Sequence, residues 1–489
     1  MFSLRMVNMY SLSAMVIVAF VCSNLARRYP CHQYIAAGLF KMPKYPLMQH
    51  CSTEGPLSNM YNEEAVYGSV KKREDVHLIV LVHGWKGNPS EMESLRELLL
   101  LRGEEKESHK TNVFKRKERT LVHSAVCNDG QTHDGIEAGG TRLANEINNL
   151  IQELWNRESQ NVRISLVGNS LGGLYARYAL SLIQWQGHRK KQMIIPHHFV
   201  TTATPHLGIG HQQTYLPLPR FVEIPIAHAI RRTGKDLFRI SNIIEDMTLD
   251  DKFTAPLSRF RRRIAYINVY GTDFQVPTPT AAFWADTDSV HHVVEQYTDG
   301  ARQSSFESSE RYSITSEDND ERPRNIIMKL TTPTQKKQQR MKEQLVSLSN
   351  NAQDDEGARN LLSEDTKGKE READMPPVAS STICLSLKLD ELGWTKVLVD
   401  IREEMPINLD SLQQSPKKNQ KEGNQIDLNS KTEWTSRELL EQFDTGRLKS
   451  FPLGHTVLIA NAKNEFYRNM NKGGMPIMDD LAKELVNST

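Results

Sequence analysis

The sequence predicts an α/β protein with a mainly parallel central sheet covered by helices. Two observations carry that prediction. Continuous apolar runs alternate with segments whose apolar residues recur at helical spacing, the pattern of buried parallel strands linked by crossover helices. A small-residue pentapeptide, Gly168-Asn169-Ser170-Leu171-Gly172, falls where one such run meets one such helix.

The alternation begins at Val76. VHLIVLVHG (76–84) is a continuous apolar run ending in glycine, as a strand buried on both faces requires. EMESLRELLLL (91–101) reads as a helix, followed by a charged loop through Arg119 and then a second strand, TLVHSAV (120–126). In GGTRLANEINNLIQELW (139–155), Leu143, Ile147, Leu150, Ile151 and Leu154 share one helical face. VRISLVG (162–168), IIPHHFVTTATP (194–205) and RIAYINVYG (263–271) are further strands, and LGGLYARYALSLIQW (171–185) is the helix after the first of them.

Composition divides the chain. Residues 71–299 form the first part of the core, and 378–489 the C-terminal part, with a polar gap at about 412–431. Between them, Gly300 to Pro377 is dominated by Ser, Glu, Asp, Lys, Gln and Arg with few aromatics, too little apolar area to offset the entropy of ordering. It is expected to be a disordered insertion able to bind other proteins, within which NIIMKL (325–330) could dock locally. Residues 29–70 read as a connector. Residues 1–28 contain an unbroken apolar run, Ala14 to Cys22, flanked by Arg5 and by Arg27 and Arg28, and no acidic residue precedes Glu54. This fits a signal peptide or signal anchor, a plastid or mitochondrial presequence, or an amphipathic docking segment. The corresponding expectation is a membrane-associated or secretory protein, with an organelle as the alternative.

The pentapeptide carries the chemistry. A G-x-S-x-G sequence between a strand and a helix holds its serine at a sharp turn with the hydroxyl exposed above the sheet. The flanking glycines Gly168 and Gly172 let strand and helix approach. That context specifies an α/β-hydrolase with Ser170 as candidate nucleophile. A serine hydroxyl needs a base, and the base an orienting acid. In this fold the acid follows the nucleophile, and Asp273 lies in the loop beyond RIAYINVYG, with Asp286 and Asp288 as nearby competitors. His455 is the candidate base, because no other histidine follows His292. It sits at the start of HTVLIA, which reads as a strand, whereas the fold usually sets the base before a final helix. Backbone amides of Leu171, at a helix N-terminus, and of Trp85, after His83-Gly84, are the candidate oxyanion donors. The Trp85 side chain either walls an acyl pocket or only packs.

These pieces resemble a known family. VHLIVLVHGWKGNPSEM, THDGIEAGGTRLANEI, ISLVGNSLGGLYARYAL, TTATPHLG and NVYGTDFQVPTPTA occur in the order found in the "putative serine esterase" family of domain-of-unknown-function 676. That lipase-like group includes yeast lipid-droplet phospholipases. Over residues 76–282, with an echo at GHTVLIA and GGMPIMDDLAKEL, the resemblance implies an α/β-hydrolase acting on carboxylic esters or glycerophospholipids. It implies the triad Ser170, Asp273 and His455, an oxyanion loop at His83 to Trp85, a packed turn at Asp134 to Ile136, and a strand closed by Thr204 to Gly208. The chain departs from the family in its long polar insertion, and in GTDFQVP where Asn-Asp before Val-Pro is more usual.

The expected function is hydrolysis of lipid esters at a membrane or lipid-droplet surface, through an acyl-enzyme. An acyltransferase or thioesterase would use the same residues, and a non-catalytic scaffold would use only the fold. With 61 basic against 60 acidic residues, the chain lacks the basic excess that nucleic-acid binding needs. Five scattered cysteines form no disulfide framework, although Cys31 and Cys51 could pair in a secreted chain. Neither His197–His198 nor His291–His292 has metal-ligand partners at suitable spacing, so no metal and no cofactor are expected.

Overall fold

The computed structural model describes residues 75–108, 118–156, 161–187, 192–210, 220–285, 290–297, 323, 325–332, 382–404, 431–443 and 453–487. All of them fall within one unit, Arg73–Thr489. The apolar leader, the connector and the Cys31–Cys51 pairing lie outside the described residues, as does most of the polar insertion. Among the described residues, Cys127 and Cys384 form no disulfide.

The first half is a run of parallel crossovers. β1 (Asp75–Val82) is followed by a 3-10 turn at Pro89–Met92, α1 (Glu93–Ser108), β2 (Glu118–Ser124), α2 (Ile136–Asn156) and β3 (Asn161–Asn169). Then come α3 (Leu171–Ala179), β4 (Met193–Thr202), four short helices α4 (Arg220–Ala229), α5 (Arg231–Leu237), α6 (Ile243–Leu249) and α7 (Asp251–Ser258), and β5 (Arg262–Asn268). The remaining elements are α8 (Thr278–Ala281), β6 (His291–Tyr297), β7 (Ile326–Thr331), α9 (Thr382–Glu391), β8 (Thr395–Val399), β9 (Glu433–Thr435), α10 (Ser436–Phe443), α11 (Gly454–Val457), α12 (Glu465–Met470) and α13 (Met475–Asn487).

The described strands form one sheet in the order β2-β1-β3-β4-β5-β8-β7-β6-β9. From β2 to β8 every pairing is parallel; β7, β6 and β9 extend the sheet antiparallel. Every residue of β1 from Val76 to Val82 is buried, as a strand with neighbours on both edges and helices on both faces must be. Leu143, Ile147, Ile151 and Leu154 of α2 are buried, and that helix packs along α3, while α13 packs along α1. Strand order, parallel pairing and a helical elbow after β3 define the α/β-hydrolase fold.

Three sequence expectations are corrected. The segment bounded as 300–377 is not uniformly outside the core. Ile326, Met328 and Leu330 are buried in β7, which hydrogen-bonds between β8 and β6. Alternating side chains supply enough apolar surface for a strand even where the flanking composition is polar. HTVLIA is not a strand; His455 lies in the single turn α11. Val457 and Ile459 are buried by contacts from other elements, which override local propensity. The helix after the elbow ends at Ala179, and the chain turns away before Trp185. Among the described residues, no helix is long and apolar enough to cross a membrane.

Candidate active site

The site is built where the parallel strands end. β3 finishes at Asn169, and Ser170, the residue before α3, has φ +53° and ψ −124°, a positive-φ conformation that costs a non-glycine residue of order 1–3 kcal/mol. The strain is held by its surroundings. The Ser170 N–H donates to the Thr202 carbonyl at the end of β4, 2.8 Å away. The motif glycines are required by close approach: a Cβ on Gly168 would sit 2.4 Å from the Gly173 Cα, and one on Gly172 would sit 2.2 Å from the Val82 carbonyl oxygen.

Asp273 follows β5 and is fully buried. Its Oδ1 accepts from the Gln275 and Val276 amides, each at 2.9 Å, and its Oδ2 from the Asn268 side chain at 3.1 Å. The same Oδ2 accepts from His455 Nδ1 at 2.8 Å, joining residues 182 positions apart. The Asn268 amide also donates to the Gly454 carbonyl (3.2 Å), and there is no room for a side chain at Gly454, where a Cβ would lie 1.8 Å from the Thr272 oxygen. Asp273 and the His455 turn are therefore locked together by packing as well as by charge. Burial disfavours the His455 imidazolium, but the Asp273 charge and hydrogen bond, with the charge of Glu91, outweigh it and raise its pKa above the ordinary histidine value.

His292 is buried on β6, and its Nε2 is 3.0 Å from Ser436 Oγ. Asp286 and Asp288 lie outside the described residues.

The turn after β1 lies against Ser170: a Cβ on Gly84 would come within 2.9 Å of the Ser170 Cβ. His83 is buried, with Nδ1 3.1 Å from the Gly84 carbonyl. Leu171 is buried as the first residue of α3. The half-buried Trp85 ring meets His133 edge-on (centroids 5.6 Å apart), carries the Lys86 ammonium 4.4 Å from its centroid, and packs on Ala227, Ile230 and Phe238 of the α4–α5 region. The packing role of its side chain is thus filled by the helices beyond β4.

Sequence reading missed Glu91 and Asn169. Glu91 looked like the polar start of a helix; instead it is buried in the 3-10 turn before α1. Its Oε1 accepts from the Gly84 amide at 3.2 Å and from the Asn169 side-chain amide. Asn169 Oδ1 in turn accepts from Thr202 Oγ1 at 2.9 Å. A glutamate at the end of GNPSE offers no signal of burial in a single sequence, since Glu is usually solvated.

Among the described residues no cluster of three or more His, Cys, Asp or Glu is arranged to hold a metal. The arrangement offers a strained serine above the sheet edge, an imidazole oriented by a buried carboxylate, and a helix N-terminus beside a glycine turn. These place the chain in the α/β-hydrolase class.

Comparison narrows the class. Residues 72–283 match the family model described as "Putative serine esterase (DUF676)", the family whose resemblance the motifs carry. The chain is 30% identical over 199 residues to the "Putative lipase YDL109C" of Saccharomyces cerevisiae, covering 39% of this chain and 28% of that protein. It is 31% identical over 220 residues to the "Putative lipase C4A8.10" of Schizosaccharomyces pombe, covering 42% and 26%. The matched segment thus spans little more than a quarter of these relatives' lengths. Among solved structures, the peroxisomal alpha-beta-hydrolase Lpx1 of Saccharomyces cerevisiae matches at a TM-score of 0.25 and 11% identity, over 43% of this chain and 66% of that one.

Proposed function

We propose that this protein is a serine hydrolase that cleaves carboxylic esters of lipids through Ser170, His455 and Asp273. The observation that carries the reading is the 2.8 Å pairing of His455 with a buried Asp273 in a chain that also holds Ser170 in a strained elbow. The elbow and the histidine share a neighbour, since Glu91 bonds Asn169 and its charge reaches His455.

In the proposed reaction, His455 Nδ1–H is fixed on Asp273, which leaves Nε2 with a lone pair to take the Ser170 proton as Oγ attacks the ester carbonyl. The carbonyl oxygen becomes an oxyanion, stabilised by the Leu171 and Trp85 amides and the positive end of α3. His455 then gives its proton to the departing alcohol, leaving an acyl-enzyme. Water, deprotonated by the same imidazole, releases the acid. The names of the matched relatives support lipids as the ester class, and the apolar leader supports action at a membrane or lipid-droplet surface.

A fluorophosphonate probe and a short-chain nitrophenyl ester test this directly. The full-length protein should be labelled and should hydrolyse the ester, and Ser170→Ala should do neither. Turnover by Ser170→Ala at the native rate would overturn the reading.

A further inference from the structure

Glu91 has no part in the reaction just described, yet it is a buried carboxylate placed between the parts that perform it. One oxygen receives both the Gly84 backbone amide and the Asn169 side chain, so the turn after β1 and the elbow after β3 are tied to one atom. Both donors are neutral. Burying an anion on neutral donors is costly, and attraction to a positive charge offsets that cost. The Glu91 charge acts on His455, where it favours the imidazolium, the form the ring must take while the ester bond is being made or broken.

Resting on the serine-hydrolase reading above, we propose that Glu91 is a positioning residue of this site. Its carboxylate staples the Gly84 turn to the Asn169–Ser170 elbow, and so sets the oxyanion loop against the nucleophile. It also supplies a second negative charge, beside Asp273, that favours the imidazolium form of His455. The two roles separate chemically. The staple needs an acceptor of the right length; the electrostatic role needs only the charge.

Three full-length variants divide them. Glu91→Gln keeps length and acceptor but removes the charge. The acid limb of kcat/KM for p-nitrophenyl acetate should move about half a unit to one unit lower in pH, with kcat down about tenfold. Glu91→Asp keeps the charge but is one methylene short, so the limb should stay near its native position while kcat falls, KM changing little. Glu91→Ala should lose both, with kcat down about 100-fold, the scale of one lost oxyanion donor. Thermal melts run beside the kinetics, and should Glu91→Gln not fold, the Glu91→Asp profile alone decides. A native pH limb in Glu91→Gln, or native kcat in Glu91→Asp, would overturn the assignment. If the native protein takes neither fluorophosphonate nor ester, the serine-hydrolase reading itself fails, an outcome separate from any difference among the Glu91 variants.

Discussion

Replacing Asp273 with asparagine is the sharpest probe of the proposed site, because the carboxylate has no spare acceptor. Oδ1 serves two backbone amides, and Oδ2 serves the Asn268 amide and His455 Nδ1. An asparagine oxygen will stay with the two backbone donors, since turning it would aim NH2 at both. The NH2 then faces Asn268 and His455, and its only favourable bond is to donate to Nδ1. That forces the imidazole proton onto Nε2, where the serine proton must go. In serine proteases the equivalent change costs about 10⁴ in kcat through this tautomer error. The same loss here corresponds to about 5–6 kcal/mol in the barrier. The pH profile should change too. Asp273 is a principal reason the His455 pKa is raised, and neutral imidazole is the active form, so the acid limb should move to lower pH. Steady-state kinetics on a soluble nitrophenyl ester across pH, with thermal melts to verify folding, give both readings. A folded Asp273→Asn variant within tenfold of native kcat would refute the argument.

His455→Gln should lose several orders of magnitude in kcat, whereas His292→Gln should retain it, in parallel kinetics on folded protein. Ser170→Gly should be inactive yet melt at a higher temperature than Ser170→Ala, because glycine relieves the strain at φ +53°, by about 1 kcal/mol or more. The fold should weaken in acid. Burial, first among the causes, holds His198 down to about 3 and His77, His206 and His292 well below their ordinary values, while the unfolded chain takes up protons near pH 6.5. Urea midpoints should therefore fall as pH drops below about 6.5, and a flat profile from pH 7.5 to 5 would contradict this. Deleting residues 305–375 should abolish soluble expression, since it removes the buried Ile326, Met328 and Leu330, worth about 5–9 kcal/mol together. Deleting 338–375 should leave a folded enzyme, as read by melting and ester hydrolysis.

The legible parts were those in which local pattern and final environment agree. β1, β3 and the α2 face could be read because a both-sided strand and a one-sided helix leave different periods in the sequence. Ser170 was legible because the elbow constrains its neighbours at ±2 to glycine. β6, β7 and β9 were not, being short strands whose partners lie far along the chain. His455 could be chosen by its position in the sequence, but its backbone was misread, because HTVLIA has strand-forming residues in a turn fixed by the Thr272 contact. Glu91 was invisible for a deeper reason. What makes it notable is burial beside Gly84 and Asn169, and burial of a glutamate is decided by tertiary structure alone.

The separation of Ser170 from His455 has a consequence for the growing polypeptide. During synthesis the proposed nucleophile, Ser170, leaves the ribosome long before the proposed base, His455. β5 also lacks its neighbour β8, which arrives about 130 residues later. Until then the parallel half of the sheet ends in an open edge, and Ser170 lacks its proposed base. On the proposed mechanism, a nascent or truncated chain that lacks His455 should be silent toward surrounding esters. Its weakness is the bare β5 edge, which makes the half-made chain a substrate for whatever chaperone covers unpaired strands.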